Sequence, residues 1–390
     1  METCLHENKS YESHNSPIKQ VFFPGPAITQ IHLDISAKCN LNCPLCYNPG
    51  GSDVKELSVE EIEQIAKEYR GYAFILGGRE PCMRPDLSLI IKTVRKHCSA
   101  MLLTNGIALK NRSYVDTLIK SGLDGVIFSF NGFRQQAYRE LNGCDCLEEK
   151  LHALQILKEA SVPTVISMTV MNTVNTGEIG TVLQWCCENT DFIKELRIRA
   201  SRPFGRHQMG IDHTLDIDTL LSHLSNQSTI DADTIKKGLK FWYSIGNAFG
   251  VESYRKRNCT IHFMLLRRNE HWISEGSLIR SSSFKAVENW NIYKLFRPVY
   301  LFLLLRQFVK IFGFRVVLRR IRNLGLHFLS FKPASHHSQL AEVKGQKNML
   351  QVTLKSWPAD SFSDHDRSLC QTLYVSRNER RLFCNFKQND

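Results

Sequence analysis

The stretch that decides the fold is ITQIHLDISAKCNLNCPLCY, residues 28–47. Its first eight residues are short, apolar and rich in branched side chains, as a strand of a parallel sheet is. Three cysteines follow at Cys39, Cys43 and Cys46, with three and then two residues between them. In sheets built from β-α units, the loops after the strands carry the functional residues. The stretch therefore predicts a metal or redox site at the end of a buried strand.

The same alternation of strand and helix continues to about residue 206. Ser58 opens the amphipathic stretch SVEEIEQIAKEYR with a Ser-x-x-Glu capping box, which predicts a helix start. The further β-like runs are YAFIL, AMLLT, DGVIFSF, PTVISMTV and KELRIR. Six β-α repeats predict an α/β protein, a partial (β/α)6 TIM-like barrel with a C-terminal α+β extension.

We divide the chain into five regions on composition and pattern. They are a polar N-terminal extension at 1–27, the core barrel at 28–206, a helical extension at 207–291, a basic amphipathic segment at 292–332, and a β-rich tail at 333–390.

Composition limits the class of protein. The chain has 390 residues, a net charge of +12 and thirteen cysteines, an odd number. A small secreted disulfide scaffold would carry an even set of cysteines on a short chain. The N-terminus is polar and lacks the apolar core of a signal peptide. We therefore expect a cytoplasmic protein whose thiols are reduced unless they bind metal.

Three kinds of site could use the cysteine cluster. A structural zinc site normally needs four ligands, and a thioredoxin-like redox pair needs only Cys-x-x-Cys. Three cysteines suit a 4Fe–4S cluster that leaves one iron without a protein ligand. The spacing favours the cluster, with zinc and a redox pair left as alternatives.

Cys-x3-Cys-x2-Cys after the first strand of a six-fold β-α repeat resembles the radical S-adenosylmethionine (SAM) superfamily. The resemblance implies that Cys39, Cys43 and Cys46 hold a 4Fe–4S cluster whose fourth iron is chelated by the methionine part of SAM. It also implies reductive cleavage of SAM to a 5′-deoxyadenosyl radical, which takes a hydrogen atom from the substrate. The electron would come from a reductant such as ferredoxin or flavodoxin.

Other strand ends match the same family. GGREP, residues 77–81, resembles its Gly-Gly-Glu-Pro motif, with Arg79 in place of the second glycine. The residues that the resemblance assigns to the cofactor are Gly78, Arg79, Glu80, Ser129, Asn175 and Arg199.

Three cysteines outside the barrel are candidates for an auxiliary iron–sulfur cluster: Cys259, Cys370 and Cys384. The order of MTVMNTVNTGEIG, LRIRASRPFGR, Cys259 and LKSWPADSFSDHDRSLC also resembles, more faintly, the tetraether lipid synthase-like branch of the superfamily. We therefore expect a hydrophobic or lipid-like substrate. The alternatives are a maturase acting on a peptide or small metabolite, and a non-catalytic, zinc-stabilised barrel that binds partners.

The segment 292–332 holds nine lysines and arginines and no acidic residue. Basic residues recur every four or five positions among Leu, Phe, Val and Ile, which suits the interface of an anionic membrane. Packing on the barrel, protein docking and nucleic-acid binding are the alternatives. Nucleic acid is the weakest of them, because such surfaces seldom need this much aliphatic bulk. The segment predicts a peripheral membrane contact.

Overall fold

The computed structural model describes residues 30–48, 55–202, 206–207, 215–249, 256–314, 317–318, 347–356, 370, 372–377 and 380–382. Within these ranges one sheet of eleven strands forms the centre of the molecule, and most helices pack on its outer face.

The first half of the chain alternates strands and helices, as the sequence predicts. The strands are β1 Gln30–Ser36, β2 Ala73–Gly78, β3 Ser99–Thr104, β4 Gly125–Ser129, β5 Thr164–Val170 and β6 Ile193–Ala200. The helices are α1 Val59–Glu68, α2 Leu87–Arg95, α3 Arg112–Lys120, α4 Gln135–Asn142, α5 Leu147–Glu159 and α6 Ile179–Glu188. The predicted capping box is present, since Ser58 Oγ accepts from Glu61 N at 3.2 Å and Glu61 Oε2 accepts from Ser58 N at 2.7 Å.

The second half contributes helices and further strands. They are α7 Ile217–Asn226, α8 Ala232–Phe249, β7 Thr260–Arg268, β8 His271–Ser274, α9 Ser281–Glu288, α10 Arg297–Phe312, β9 Met349–Lys355, β10 Thr372–Val375 and β11 Arg380–Leu382. Single 3-10 turns lie at Pro81–Met83, Ile107–Lys110, Thr176–Glu178, Glu275–Leu278 and Lys294–Phe296.

The strand order is β8-β7-β9-β6-β5-β4-β3-β2-β1-β10-β11. The eight strands from β9 to β10 all run parallel, and only β8, β7 and β11 run antiparallel to their neighbours. Two strands from the C-terminal region thus flank the predicted six. Lys355 of β9 and Thr372 of β10 line the same cavity, so the two flanks of the open sheet curve toward each other. The predicted partial TIM-like barrel is confirmed.

Two hydrophobic cores stabilise the molecule. The larger one lies between the sheet and its outer helices, with Phe74, Phe128 and Ile166 fully buried. A smaller core lies among α8, α9, α10 and β7, where Trp242 stacks on Phe308. Helix α10 buries one face there and exposes the other. None of the helices in the described ranges is long and apolar enough to cross a bilayer.

Candidate active site

The three clustered cysteines lie on the loop that follows β1. Burial raises the pKa of Cys43 to about 11, and the nearby thiols of Cys46 and Cys39 add to the rise. Burial also raises the pKa of Cys39, to which Cys46 contributes. The two-residue strand Leu45–Cys46 pairs with Arg206–His207 and so fixes the end of the loop. Cys46 therefore lies near enough to Cys39 and Cys43 to influence the pKa of both thiols.

Several N–H groups point at these sulfur atoms. The backbone N–H of Leu41 donates to Cys39 Sγ at 3.3 Å, and Asn105 Nδ2 donates to the same atom at 3.9 Å. Asn142 Nδ2 donates to Cys43 Sγ at 3.6 Å. Donors of this kind stabilise sulfur that carries negative charge, as it does when it binds iron.

Three cysteines on one loop, with N–H groups that donate to the sulfur atoms of two of them, fit an iron–sulfur cluster. In the part of the chain that the structure describes, no three His, Cys, Asp or Glu side chains lie close enough together to hold one metal ion. The cluster role of Cys39, Cys43 and Cys46 stays a prediction.

Arg79, at the second glycine position of the motif, faces the cysteine loop. Its backbone N–H donates to Ser36 O at 2.8 Å, and its Nη1 donates to Ala37 O at 3.4 Å. Its charge opposes the rise that burial causes in the pKa of Cys39. Arg79 therefore supplies a positive charge beside the cysteines that are predicted to hold the cluster.

The glycines of the same motif allow β1 and β2 to approach closely. A Cβ on Gly77 would lie 2.5 Å from His32 Nε2. Gly78 has φ +116°, and a Cβ there would lie 2.3 Å from Asp34 Oδ1. The Gly78 carbonyl accepts from the Tyr47 hydroxyl at 3.0 Å, which ties the cysteine loop to the end of β2.

Glu80 is buried and joins three loops. Its carboxylate accepts from Thr104 Oγ1 at 2.7 Å, from the N–H of Asn105 at 2.7 Å and from the N–H of Cys82 at 3.1 Å. Burial raises its pKa, and these bonds oppose the rise. Its backbone N–H donates to Lys38 O at 2.9 Å, beside the cysteines. The contact of Glu80 with SAM stays a prediction.

Ser129 and Asn175 differ in how far the fold already uses them. Ser129 ends β4 half-buried, and its carbonyl accepts from Lys150 Nζ at 2.7 Å. Asn175 is fully buried and donates to Asn131 O at 2.9 Å and Thr169 O at 2.8 Å, while its Oδ1 accepts from Met171 N. The cofactor roles of Ser129 and Asn175 stay predictions. Because the side chain of Asn175 is bonded to Asn131, Asn175 would influence the cofactor through Asn131.

Lys150 is a site residue that the sequence analysis missed. It is fully buried and donates to the carbonyls of Asn105 and Ser129, each at 2.7 Å. Burial lowers its pKa, and the thiols of Cys146 and Cys43 oppose the change. The sequence does contain a signal for it, a lysine at a core position of a helix. Lys150 stands three residues after Leu147 and four before Leu154, on the apolar stripe of α5.

A cavity of about 210 Å³ opens beneath Cys46 and Tyr47 into the barrel. One wall is apolar and comes from β2, β3 and β4: Ile75, Leu103 and Ile127. The opposite wall carries four cations: Arg197, Arg199, Arg202 and Lys355. No acidic side chain is among the described residues that line it.

One of these cations forms an ion pair: Arg197 donates to both carboxylate oxygens of Glu195, at 2.7 and 2.9 Å. Arg199 Nη2 donates to Ser167 Oγ at 2.5 Å, whereas its buried Nε has no hydrogen-bond partner among the described residues. Burial lowers the pKa of Arg199, and the neighbouring Arg197 lowers it further. Burial likewise lowers the pKa of Lys355, with Arg199 among the secondary causes.

Two polar residues of β1, His32 and Asp34, lie on the inner face of the sheet. The sequence predicted them only as part of a strand. His32 lines the cavity, and burial followed by the charges of Arg199 and Lys355 lowers its pKa to about 3. Asp34 accepts from Tyr374 Oη at 2.5 Å and from Asn48 Nδ2 at 2.7 Å. Alternation of His32 and Asp34 with buried Leu33 was the signal that could have found them.

Two of the three cysteines predicted for an auxiliary cluster lie near each other. Cys259 precedes β7 and Cys370 precedes β10, and both act on the pKa of Arg257 and of Lys355. Cys384 lies outside the described residues. The auxiliary cluster stays a prediction.

Comparison with known proteins matches residues 33–186 to the radical SAM superfamily. Residues 33–186 therefore form a radical SAM domain. It is 30% identical over 186 residues to a 7,8-dihydro-6-hydroxymethylpterin dimethyltransferase of Methanocaldococcus jannaschii, which covers 45% of this chain and 37% of that protein. It is 28% identical over 184 residues to a probable GTP 3′,8-cyclase of Thermococcus kodakarensis, covering 46% and 59%.

The chain thus spans between about a third and three fifths of the length of these two relatives. Among solved structures it is similar to Streptococcus suis SuiB bound to the precursor peptide SuiA, with a TM-score of 0.45 and 18% identity over 54% of this chain and 48% of that one. The predicted superfamily is confirmed, and with it the family's cofactors, a 4Fe–4S cluster and SAM.

Proposed function

We propose that this radical SAM protein cleaves SAM reductively and uses the resulting radical to take a hydrogen atom from a substrate held inside the barrel. One observation carries the proposal. Cys46, one of the three predicted cluster ligands, lines the same cavity as the side chains of the barrel strands. A radical generated at the cysteine loop would therefore reach a substrate without crossing solvent.

The chemistry of bond cleavage belongs to the cluster and SAM, which together generate a 5′-deoxyadenosyl radical. The protein's own residues hold and shield these groups. Cys39, Cys43 and Cys46 would ligate iron, and Asn105, Asn142 and the Leu41 N–H would donate to their sulfur atoms. Gly78, Glu80, Ser129, Asn175 and Arg199 would orient SAM, either directly or through the loops that they fix. The electron would come from a small reductant such as ferredoxin or flavodoxin.

The cavity also bears on the substrate. Its apolar wall accepts a hydrophobic group, in line with the expectation of a hydrophobic substrate. A wholly apolar lipid chain would place hydrocarbon against the charged side chains of the other wall. An amphiphilic molecule or a small metabolite therefore fits the cavity better than a lipid tail alone.

Anaerobic reconstitution tests the proposal. We expect about four irons per chain, absorbance near 400 nm, and 5′-deoxyadenosine when the protein is reduced in the presence of SAM. Cys43→Ala should abolish all three, whereas Cys187→Ala on α6 should leave them unchanged. Stoichiometric zinc with no nucleoside would instead support the non-catalytic barrel.

We also propose that α10 and the turn before it contact an anionic membrane. Among the described residues, nine of the twelve exposed large apolar side chains lie between positions 292 and 318, including Leu295 at 88% exposure and Phe302 at 64%. Arg306 and Lys310 are exposed on the same helix. Bulky apolar groups beside basic ones suit a bilayer interface, where each cation contributes about 1 kcal/mol to binding.

Cytoplasmic location remains a prediction.

Liposome co-sedimentation tests the membrane contact. We expect binding to vesicles that contain anionic lipid, weakening as salt increases, and strongly reduced by Leu295→Glu with Phe302→Glu. Leu89→Glu, at an exposed leucine of α2, is the matched control and should bind normally. Equal binding by both variants, or none by the unaltered protein, would rule out this surface.

A further inference from the structure

We propose that His262 of β7 presents an unprotonated Nε2 to the inside of the barrel and accepts a hydrogen bond there from an O–H or N–H group of the substrate. That the partner is a substrate rests on the function proposed above. The protonation state of the ring does not depend on that function, so the two can fail separately.

The register of the sheet places His262 on the inner face, beside the cavity. His262 is the direct partner of Thr353 on β9, and Thr353 is the direct partner of Arg197 on β6. Residues directly opposite each other on paired strands point to the same face. Arg197 lines the cavity, so His262 lies on the cavity side of the sheet, two strands further along. Its sequence neighbours Ile261 and Phe263 belong to the core on the other side, beneath the outer helices.

A chain of hydrogen bonds holds the ring of His262. Arg197 donates to both oxygens of Glu195, and although burial raises the pKa of that carboxyl, this ion pair keeps it below its usual value. Thr353 Oγ1 donates to Glu195 Oε1 at 2.7 Å. His262 Nδ1 lies 2.9 Å from the same Thr353 oxygen. An ionised carboxylate can only accept, and a hydroxyl has one proton, so the proton between Thr353 and His262 is that of Nδ1.

This chain determines which nitrogen of the ring is free. With Nδ1 protonated, a neutral imidazole has its lone pair on Nε2. The only hydrogen bond that His262 makes within the described part of the chain is the one at Nδ1, and its side chain is exposed. Nε2 is therefore an accessible acceptor for a hydroxyl, amide or amine group.

The ring stays neutral because its surroundings disfavour the charged form. Although the ring has an exposed surface, desolvation within the barrel is the largest cause that lowers its pKa, to about 4. Arg257, which precedes β7, is the next cause, and Arg197 and Lys355 lower the pKa further. Glu195 acts in the opposite direction. His262 is therefore an acceptor rather than a cation throughout the neutral range.

The alternative is that His262 and Thr353 form an ordinary cross-strand pair that contacts no ligand. Such a pair needs neither the ionised carboxylate behind the hydroxyl nor the tautomer that it selects. A second group that orients one nitrogen of an imidazole is the usual way in which a protein prepares the other nitrogen for a ligand. The substrate class is therefore a compound that carries a hydroxyl, amide or amine beside an apolar portion, which the wall of Ile75 and Ile127 would contact.

Nitrogen-15 NMR of the full chain, labelled at histidine, tests the state of the ring. At pH 7 we expect a protonated Nδ1 and an unprotonated Nε2 for His262, which is the less common tautomer of a free histidine side chain. Thr353→Val removes the hydroxyl and should return the ring to the common tautomer, protonated at Nε2. Thr260→Val, two residues before His262 on the same strand, is the matched control and should leave the signals unchanged.

Phenol and anisole test whether Nε2 accepts from a donor. The two molecules share an apolar ring, but only phenol has an O–H group. We expect phenol to shift the Nε2 signal of His262, whereas anisole at the same concentration should not. His262→Leu should weaken the binding of phenol roughly tenfold, as the loss of one hydrogen bond does. His152→Leu, at an exposed histidine of α5, should bind phenol as the unaltered protein does.

A protonated Nε2 or a charged ring in the unaltered protein at pH 7 would overturn the inference. Equal shifts with phenol and anisole would also overturn it, and so would the absence of a shift with either. Should Thr353→Val fail to fold, these measurements on the unaltered protein still decide. Failure of the radical chemistry is seen separately, as the absence of 5′-deoxyadenosine from the unaltered protein.

Discussion

His32 lies inside the barrel as an uncharged histidine. It is 4% exposed, its ring stacks at 5.5 Å on Tyr374, and its Nε2 lies 3.5 Å from the Tyr47 hydroxyl. Burial and then the charges of Arg199 and Lys355 lower its pKa to about 3 from the usual 6.5. The ring has room beside β2 because Gly77 has no Cβ, which would lie 2.5 Å from His32 Nε2.

This lowered pKa predicts a stability that depends on pH. Between pH 6.5 and about 3 the unfolded chain binds a proton at His32 that the folded protein does not bind. The free energy of unfolding should therefore fall as the pH falls through that window, by up to about 1.4 kcal/mol per pH unit. Urea unfolding of the unaltered protein and of His32→Phe, from pH 7 to pH 4.5, measures the difference.

His152→Phe is the matched control, because His152 is exposed on α5. It should preserve the full pH dependence. If His32→Phe preserves it too, then His32 is charged in the folded protein. Buried carboxyl groups with raised pKa values contribute the opposite slope, so only the difference between variants is diagnostic.

Lys150 supports the loops that carry the site. Lys150→Met would leave the carbonyls of Asn105 and Ser129 without their donor. We expect a loss of about 2–4 kcal/mol in the free energy of unfolding, measured by denaturant titration. Lys158→Met removes an exposed lysine from the same helix and should cost less than about 1 kcal/mol. Equal effects would show that Lys150 has no special structural role.

At the scale of elements, the helical extension depends on one close approach. A Cβ on Gly276, in the turn Glu275–Leu278, would lie 1.8 Å from Thr234 O and 2.7 Å from Gly238 N of α8. Gly276→Ala should therefore separate the turn from the helix and lower the free energy of unfolding by about 3 kcal/mol. Gly177→Ala, where a Cβ would meet nothing within 4 Å, should be within about 0.5 kcal/mol of the unaltered protein. Similar values for both would contradict this packing.

The elements also show what sequence can and cannot predict here. The six predicted strands were found because local apolar runs between amphipathic helices are sufficient to identify them. The partners of the C-terminal strands were not predicted. Gln30 pairs with Thr372 and Arg199 with Lys355, and parallel pairing over such separations has no local signature.

The site was predictable in the same uneven way. The cysteines and GGREP are short local motifs, whereas Lys355 reaches the cavity, and Tyr374 reaches Asp34, only through those distant pairings. The other site residues, such as His32 and Lys150, could have been predicted only from their position as single polar residues inside apolar patterns. A motif can be read along the chain, but a charged wall assembled from strands far apart in sequence becomes visible only in the fold.

At the scale of the whole molecule, β7 joins the two hydrophobic cores. Leu265 packs in the core of the barrel, and its neighbour Leu266 packs with Trp242 and Phe308 in the smaller core of the helices α8, α9 and α10 (the extension). β7 also pairs with β9, which carries Lys355 into the cavity. The extension is thus coupled to the site through two strands of the same sheet, and we expect the barrel and the extension to unfold together.

Phe308→Ala tests that coupling. Phe308 is 7% exposed and stacks on Trp242 at 6.0 Å, so the substitution should cost about 3–5 kcal/mol. Unfolding followed by far-UV circular dichroism, whose signal comes mainly from the barrel, should have a lower midpoint. Unfolding followed by tryptophan fluorescence should have the same midpoint, in one transition. Phe302→Ala, on the exposed face of the same helix, should leave the midpoint unchanged. If the two cores are coupled through the shared sheet, the loss of stability in the extension also lowers the unfolding midpoint of the barrel. Two separate transitions in Phe308→Ala, with the midpoint of the barrel unchanged, would show that the extension folds independently of the site.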